Sequence, residues 1–369
     1  MKKGTHEKKH RSLPVRILRI IGILLLIVVL LAVGLVGYLS VTEYKPADTE
    51  ALTPEGEADG MIGVGDTLKI LSWNIGYGAL GDNADFFMDG GSMVKTADAE
   101  RLAANMTAIR QTILAEGPDI VMLQETDRDS ARSGNVDEFA EVKDALKENN
   151  GYQAVFANNF KVAFLPYPIP PIGKVDSGIA TYSRYPLQEA TRVQLPIPFS
   201  WPMRMANLKR CLLVSRVKLE GSDKELVVVN LHLEAYDDGE GKLAQTKMLA
   251  ELLDAEAAKG NYVIAGGDFN QIFSSADGSA YPVYEGNWVA PEIDVTQFKG
   301  QWQFLMDEKT PSCRLLNQPY KDADKNSFQY YLIDGFIVSS NLEVKDFGTL
   351  DLGFAASDHN PLTMTLVLK

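Results

Sequence analysis

The sequence predicts an α/β fold in which two packed sheets are flanked by helices, with one membrane-spanning helix ahead of them. Three observations lead there. Short β-rich runs follow one another through the C-terminal part of the chain: LKILSWN, DIVMLQE, YQAVFA, GIATYS, CLLVSRVKL, ELVVVNLHLE, YVIAGGD, YLIDGFIVS and PLTMTLVLK. Only two clear amphipathic helices lie among them, too few for the crossovers of a doubly wound parallel sheet. Residues 20–41, near the N-terminus, carry no charge over 22 positions.

As a helix that N-terminal run extends about 33 Å, enough to cross the apolar core of a bilayer. A cleaved signal peptide competes with an uncleaved anchor, but its apolar stretch is usually shorter, and no clean small-x-small site precedes the acidic segment that follows. Residues 1–19 carry seven Lys/Arg against Glu7, whereas only Lys45 follows the run closely. The expected order is therefore a basic cytoplasmic tail (1–19) and a single-pass anchor in the cell membrane (20–41), with the large C-terminal part on the other side. Residues 42–66 are acidic, rich in Gly, Pro and small residues, and aperiodic, which predicts a flexible linker. What remains, 67–369, is expected to be one domain, and a chain of 369 residues with 46% hydrophobic residues can fill its core.

Within that domain the first helix covers 98–116, where Leu102, Met106, Ile109 and Ile113 share a face and Gly117-Pro118 stops the pattern. The second runs near 241–259 and ends at Gly260. The whole chain has a net charge of -13, and the 350 residues after the basic tail sum to -19. So acidic a body has no long-range pull on a polyanion, although a bound divalent metal offsets part of the charge. Cys211 and Cys313 are too few for a disulfide framework or a thiolate metal site; a single disulfide and two buried free thiols both fit.

Several runs end on residues able to bind metal or phosphate. LKILSWN closes on Asn74, DIVMLQE on Glu125, VVVNLH on His232, and YVIAGGD on Asp268 with Asn270 just beyond. An unpaired polar group is costly inside a strand, so these positions are expected at a sheet rim that water and ligand reach. In GGDFN the glycines let backbone come close, and two residues two apart on a strand point the same way. Of the four histidines, His6 and His10 fall in the basic tail, leaving His232 and His359 for the domain. Taken singly, the Asp-Gly, Asp-x-Asn and Asp-His pairs also serve as turn punctuation.

The ordered set SWN, LQET, SGIATYSRYP, NLHLE, GGDFN, LIDGFIVS and SDHNPL closely resembles the endonuclease/exonuclease/phosphatase superfamily. That group includes DNase I-like nucleases, abasic-site endonucleases, inositol-polyphosphate 5-phosphatases and neutral sphingomyelinases. The resemblance runs from about Leu68 to the C-terminus. It implies a four-layered α/β/β/α sandwich and Mg²⁺-dependent cleavage of a phosphoester, with Mn²⁺ as a possible substitute. Residue by residue, it implies Glu125 as principal metal ligand, with Asn74 and Asp358 supporting. Asp268 would orient or deprotonate the attacking water, and Asn270, with Asn74, would contact the phosphate. His359, polarised by Asp334, would be a second base or would stabilise the pentacovalent phosphorus, and His232 would donate to a nonbridging oxygen. Some nuclease relatives carry an acidic residue two positions after the first Asn, where this chain has Gly76; a single metal is the expectation.

The chemistry agrees independently. A phosphodiester repels nucleophiles, and Mg²⁺, held by one or two carboxylates plus water and substrate oxygens, offsets that charge while a His or Asp handles the proton. For the substrate, FLPYPIPPIG and LPIPFSWPMRM bracket SGIATYSRYP. Their apolar residues suit packing on the sandwich, while Phe199, Trp201 and Met203, if exposed, suit a bilayer, a base or a sugar. Arg184 is the expected phosphate contact, with Arg204, Lys209 and Arg210 nearby and equally readable as ordinary surface charge. The acidic domain and the anchor favour a lipid head group or small phosphodiester over long duplex DNA. An extracellular nuclease, a catalytically silent binding module on the same fold and a surface scaffold are the alternatives, and the sequence implies no protein partner.

Overall fold

Strands alternate their side chains between two faces, so a strand that is apolar at consecutive positions must be covered on both. Such strands dominate the computed structural model, which describes residues 13–147, 151–237 and 239–369. The chain divides into two compact units, Met1–Glu43 and Tyr44–Lys369. The first contains helix α1 (Leu13–Val41), long and apolar enough to cross a membrane. It begins ahead of the expected 20–41 span and takes in Arg16 and Arg19. Residues 1–12 of the expected basic tail lie outside the described residues.

The second unit opens with β1 (Thr49–Leu52), β2 (Thr67–Asn74), α2 (Ala99–Glu116), β3 (Ile120–Asp127), α3 (Glu138–Lys147), β4 (Gln153–Leu165) and β5 (Gly173–Ser183). Next come β6 (Leu187–Gln194), β7 (Cys211–Lys218), β8 (Glu225–His232), α4 (Glu240–Ala258), β9 (Tyr262–Asp268), β10 (Ile272–Phe273) and β11 (Glu292–Ile293). It closes with β12 (Trp302–Leu305), β13 (Cys313–Arg314), β14 (Tyr330–Tyr331), β15 (Asp334–Ser339), β16 (Leu342–Thr349) and β17 (Leu362–Leu368).

Among the described residues these strands form a seven-stranded sheet, β1-β6-β7-β8-β9-β15-β12, and a six-stranded sheet, β16-β17-β2-β3-β5-β4. Leu68 and Ile70 of β2 and Ile120 and Met122 of β3 meet Leu213, Val228, Ile264 and Phe336 of the other sheet in a buried core between the two. The opposite face of β2 and β3, with Leu71, Trp73, Val121 and Leu123, is covered by Leu102, Met106, Ile109 and Ile113 of α2 and by Phe139, Val142 and Leu146 of α3. On the far side α4 lays Leu249 and Leu253 over Val227, Val229, Val263 and Ala265. Each large apolar side chain buried this way contributes about 1.5–3 kcal/mol. The result is the α/β/β/α sandwich.

Helix α2 has the ends its sequence specifies. The Asp98 side chain accepts from Arg101 N at 2.8 Å, and Gly117 closes the helix at φ 56°. Helix α3, ten residues with three buried aliphatic or aromatic positions on its core face, was too short a signal to be read from the sequence.

The segment 42–66 does not behave as the flexible linker that its composition predicts. Strand β1 pairs antiparallel with β6, from Thr49↔Val193 to Leu52↔Ala190. Glu55 N donates to Ala154 O at 2.7 Å, Gly60 N donates to Arg184 O at 3.1 Å, and Ile62 is buried in the inter-sheet core. Main-chain pairing and one anchoring apolar side chain fix this stretch without any periodic pattern. The compact unit therefore begins at Tyr44 rather than at 67.

Candidate active site

Register brings the strand-end residues together. Parallel pairing of β8 with β9 sets His232 beside Asp268, and antiparallel pairing of β15 with β9 sets Asp334 on its other side. In the second sheet, parallel β2 and β3 set Asn74 beside Gln124, with Glu125 next in the chain. Asn74 joins the two sheets: its Nδ2 lies 3.2 Å from Glu125 Oε1 and 3.0 Å from Asp268 Oδ2.

The loop ahead of β17 completes the cluster. Trp73 Nε1 donates to His359 O at 2.8 Å, and Ser357 Oγ donates to Asn74 O at 2.8 Å, which pins Asp358 and His359 over the strand ends. His359 Nδ1 lies 2.7 Å from Asp334 Oδ2, while its Nε2 lies 3.8 Å from Asp268 Oδ2 and 4.0 Å from Asp358 Oδ2.

Local backbone explains two of these placements. Pairing of β3 with β5 shifts between Leu123 and Thr126, and Glu125, at that shift, has φ 50°. A bulge of this kind re-aims a side chain, and a left-handed non-glycine residue stores about 1–3 kcal/mol of strain that functional sites tolerate. In β9 a Cβ on Gly266 would stand 2.4 Å from the Phe336 ring, and one on Gly267, at φ 137°, would stand 2.0 Å from Leu231 O. The two glycines thus let β9 sit tightly between its neighbours just before Asp268.

Burial governs the electrostatics. Asp268 is pushed up to about 7, first by burial and then by the Asp334 carboxylate, against relief from His359, Asn270 and Asn74. Burial works against a charged His359, but Asp334 outweighs it and holds the imidazole well above its ordinary value. His232 goes the other way, driven well below by burial and by the charges of Arg210 and His359. Asp358 rises to about 6 through burial, which His359 relieves and Glu125 reinforces. A group near neutrality beside a protonated imidazole is a competent acid-base pair.

All the strand-end candidates therefore meet: Asn74, Glu125, His232, Asp268, Asn270, Asp334, Asp358 and His359. Arg184 does not. Its guanidinium donates to Asp119 Oδ1 at 3.1 Å and Tyr152 OH at 3.2 Å, beyond β5 at the opposite end of the sheet from Glu125. The chain reverses direction between β3 and β5, so a residue just past the end of β5 lies at the start of β3. Asn74 also differs from the expected metal ligand in detail, because its Oδ1 accepts from Gly76 N at 3.1 Å and its amide nitrogen faces the carboxylates. Gly76 itself has φ 52°, and a Cβ there would lie 2.9 Å from Asp358 Oδ1, so this loop is shaped for glycine.

These residues open onto a cavity of about 100 Å³. Its walls include residues that the sequence did not mark as a site: Asp89, Tyr236, Trp288, Tyr331 and, named only among nearby cations, Arg210. Arg210 immediately precedes CLLVSRVKL, the strand paired antiparallel with the one ending in His232, and only that pairing, which the sequence does not show, sets it at the same rim. Cys313 lines the same cavity as a free thiol that burial pushes up to about 12, and Cys211 is also free and buried. In the loops Trp201 and Met203 are exposed, whereas Phe199 is half-buried.

As for a metal, Glu125 and Asp358 supply hard oxygen donors close enough for the charge of one to raise the pKa of the other. Two further clusters, Cys313-Asp358-His359 and Asp268-Asp334-His359, bring ligand atoms within 4.8 Å of one another. In the second, His359 Nδ1 is already committed to Asp334. The carboxylate excess suits an oxygen-seeking divalent cation.

A family model described as the Endonuclease/Exonuclease/phosphatase family matches residues 71–359. Among curated proteins there is no match. Among solved structures, an endonuclease/exonuclease/phosphatase from Beutenbergia cavernae is 18% identical with a TM-score of 0.56, covering 82% of this chain and 72% of its own. ANGEL2, a 2′,3′-cyclic phosphatase solved with adenosine-2′,3′-vanadate, is 16% identical with a TM-score of 0.54 and coverages of 86% and 99%. A family protein from Bacteroides thetaiotaomicron is 17% identical with a TM-score of 0.53 and coverages of 83% and 99%. At these identities the structural likeness speaks for the fold, while the family model spans most of the chain and includes both sheets' strand-end residues; the chain belongs to the Endonuclease/Exonuclease/phosphatase family.

Proposed function

We propose that this protein is a Mg²⁺-dependent phosphoesterase whose catalytic unit lies outside a cell membrane, held there by α1 with its N-terminus in the cytoplasm. The observation that carries the chemistry is the meeting of Asn74, Glu125, His232, Asp268, Asp334 and His359 at one edge of two sheets. The solved complex of ANGEL2 with a vanadate ester supports the reading that this fold accommodates phosphoryl chemistry.

Glu125 and Asp358 would hold the cation, with Asn74 joining after rotation of its amide. When bound, Mg²⁺ would supply charge neutralisation at the phosphate and the leaving oxygen. Asp268, near neutrality, takes the proton from the attacking water. Protonated His359, oriented by Asp334, stabilises charge building on phosphorus oxygens or returns a proton to the leaving group. His232 stays neutral beside Asp268, with no hydrogen-bond partner for Nδ1 among the described residues. Asn270 is fixed by donation from Nδ2 to Leu233 O at 3.0 Å and faces the same cavity.

The small, acid-rich cavity and the apolar helix support a compact phosphodiester or lipid head group as substrate. The test is hydrolysis by the full-length protein in detergent of bis-p-nitrophenyl phosphate, sphingomyelin, inositol phosphates and plasmid DNA, with Mg²⁺ and with Mn²⁺. Turnover of the small or lipid esters supports the reading. Preference for plasmid DNA moves the assignment to an extracellular nuclease, and inertness on all four moves it to a binding module.

A further inference from the structure

Arg210 is 4% exposed and lines the cavity, yet neither its Nε nor its Nη1 has a hydrogen-bond partner among the described residues. Among the described residues it pairs with Glu234, whose Oε2 stands 3.9 Å from Arg210 Nε and is likewise without a hydrogen bond there. A guanidinium offers five N–H donors in a fixed fork and stays charged. Leaving that fork unspent in a buried site is costly, and buried charges in folded proteins are paired. The main chain that carries it is nevertheless fixed. The Arg210 carbonyl accepts from Leu195 N at 3.0 Å and from Gln194 Nε2 at 3.0 Å. Glu234 is anchored in turn, its Oε1 accepting from Ala235 N at 3.1 Å and Tyr236 N at 3.3 Å.

The missing partner is therefore an anion that enters the cavity. Arg210 shares that cavity with Asp268, Asn270 and His232, and its charge is close enough to His232 to help depress the imidazole's pKa. His232 Nδ1 is a second buried polar atom there without a hydrogen-bond partner among the described residues. The geometry points to Arg210 as a substrate-binding residue whose guanidinium fork grips nonbridging oxygens of the phosphoryl group under attack, with Glu234 as the positioning residue behind it. This rests on the phosphoesterase reading and adds to it a contact outside the strand-end motif. Two parallel N–H···O bonds to phosphate are the geometry that arginine favours and lysine does not reproduce. Unspent donors in the free enzyme that are satisfied by the phosphoryl oxygens make the contact a source of transition-state stabilisation.

The experiment uses full-length protein in detergent, bis-p-nitrophenyl phosphate as a substrate with a single phosphate, Mg²⁺, and inorganic phosphate as inhibitor. Arg210→Gln is expected to lower kcat/KM about 10²-fold and to weaken phosphate inhibition at least about tenfold. Arg210→Lys, which keeps the charge and most of the stem, is expected to fall in between, and it carries the test alone if Arg210→Gln fails to fold. Absence of turnover in the wild type overturns the phosphoesterase reading itself. Wild-type turnover with both variants within about threefold of it, in rate and in phosphate inhibition, overturns the role of Arg210 and leaves that reading standing. A loss seen only with a dinucleotide bearing an extra terminal phosphate assigns the fork to a neighbouring phosphate, which also overturns the assignment to the scissile group.

Discussion

Asp268 and Asp334 stand directly opposite each other on adjacent antiparallel strands, and His359 joins the pair through a 2.7 Å contact to Asp334. Two buried carboxylates in register repel, so the charge on Asp334 adds to burial in raising Asp268 and holds His359 well above its ordinary value. The predicted chemistry follows from that arrangement.

Removing the charge with Asp334→Asn takes away the largest influence raising His359 and, after burial, the second influence raising Asp268. Asp268 must lose its proton to act as base, and His359 must keep its proton to stabilise oxyanions, so both limbs of the rate profile should move to lower pH. The rate at the optimum should fall about 10²–10⁴-fold. A pH profile of kcat/KM checks this, and a profile unmoved on both limbs speaks against the assignment.

Glu125→Gln should abolish metal-dependent stabilisation. A ligand bound to the folded state at 100 times its Kd adds about 2.7 kcal/mol, a clear upward shift in melting temperature. Wild type should show that shift on addition of Mg²⁺ and the variant should not.

Gly267→Ala forces a Cβ into Leu231 O at a φ of 137°. The strain and the collision together should cost about 3 kcal/mol or more, measured by urea unfolding. Ordinary stability in this variant would contradict the close packing of β9 against β8.

At the far side of the fold, burial would raise Glu256, but hydrogen bonds from Arg216, Lys259 and Asn261 hold it down to about 2. A depressed carboxylate stabilises the fold fully above its unfolded value of 4.5, and the contribution fades as pH falls towards 2. Glu256→Gln should therefore be less stable than wild type at pH 7, by about 1–3 kcal/mol, with the gap closing in acid. Denaturant midpoints across that range decide it.

Much of this was legible in the sequence, for a physical reason. A core strand must be apolar, so a polar residue at its end, as at Asn74, Glu125, His232 and Asp268, is conspicuous. The face of α2 was readable because Leu102, Met106, Ile109 and Ile113 keep helical spacing over an entire helix. Strand β1 was hidden because an edge strand needs only main-chain partners, and residues with the composition of a linker provide them. Arg184 and Arg210 could not be told apart because a guanidinium's role depends on which end of a sheet it occupies. Only the pairing of β3 with β5 and of β7 with β8 reveals that.

The most direct test of the central claim is hydrolysis of bis-p-nitrophenyl phosphate by the full-length protein, measured with and without Mg²⁺ and repeated with His359→Ala. The account predicts turnover that requires the cation and drops by at least about 10²-fold in the variant. Turnover that persists in a chelator, or that survives loss of the His359 imidazole, would contradict it.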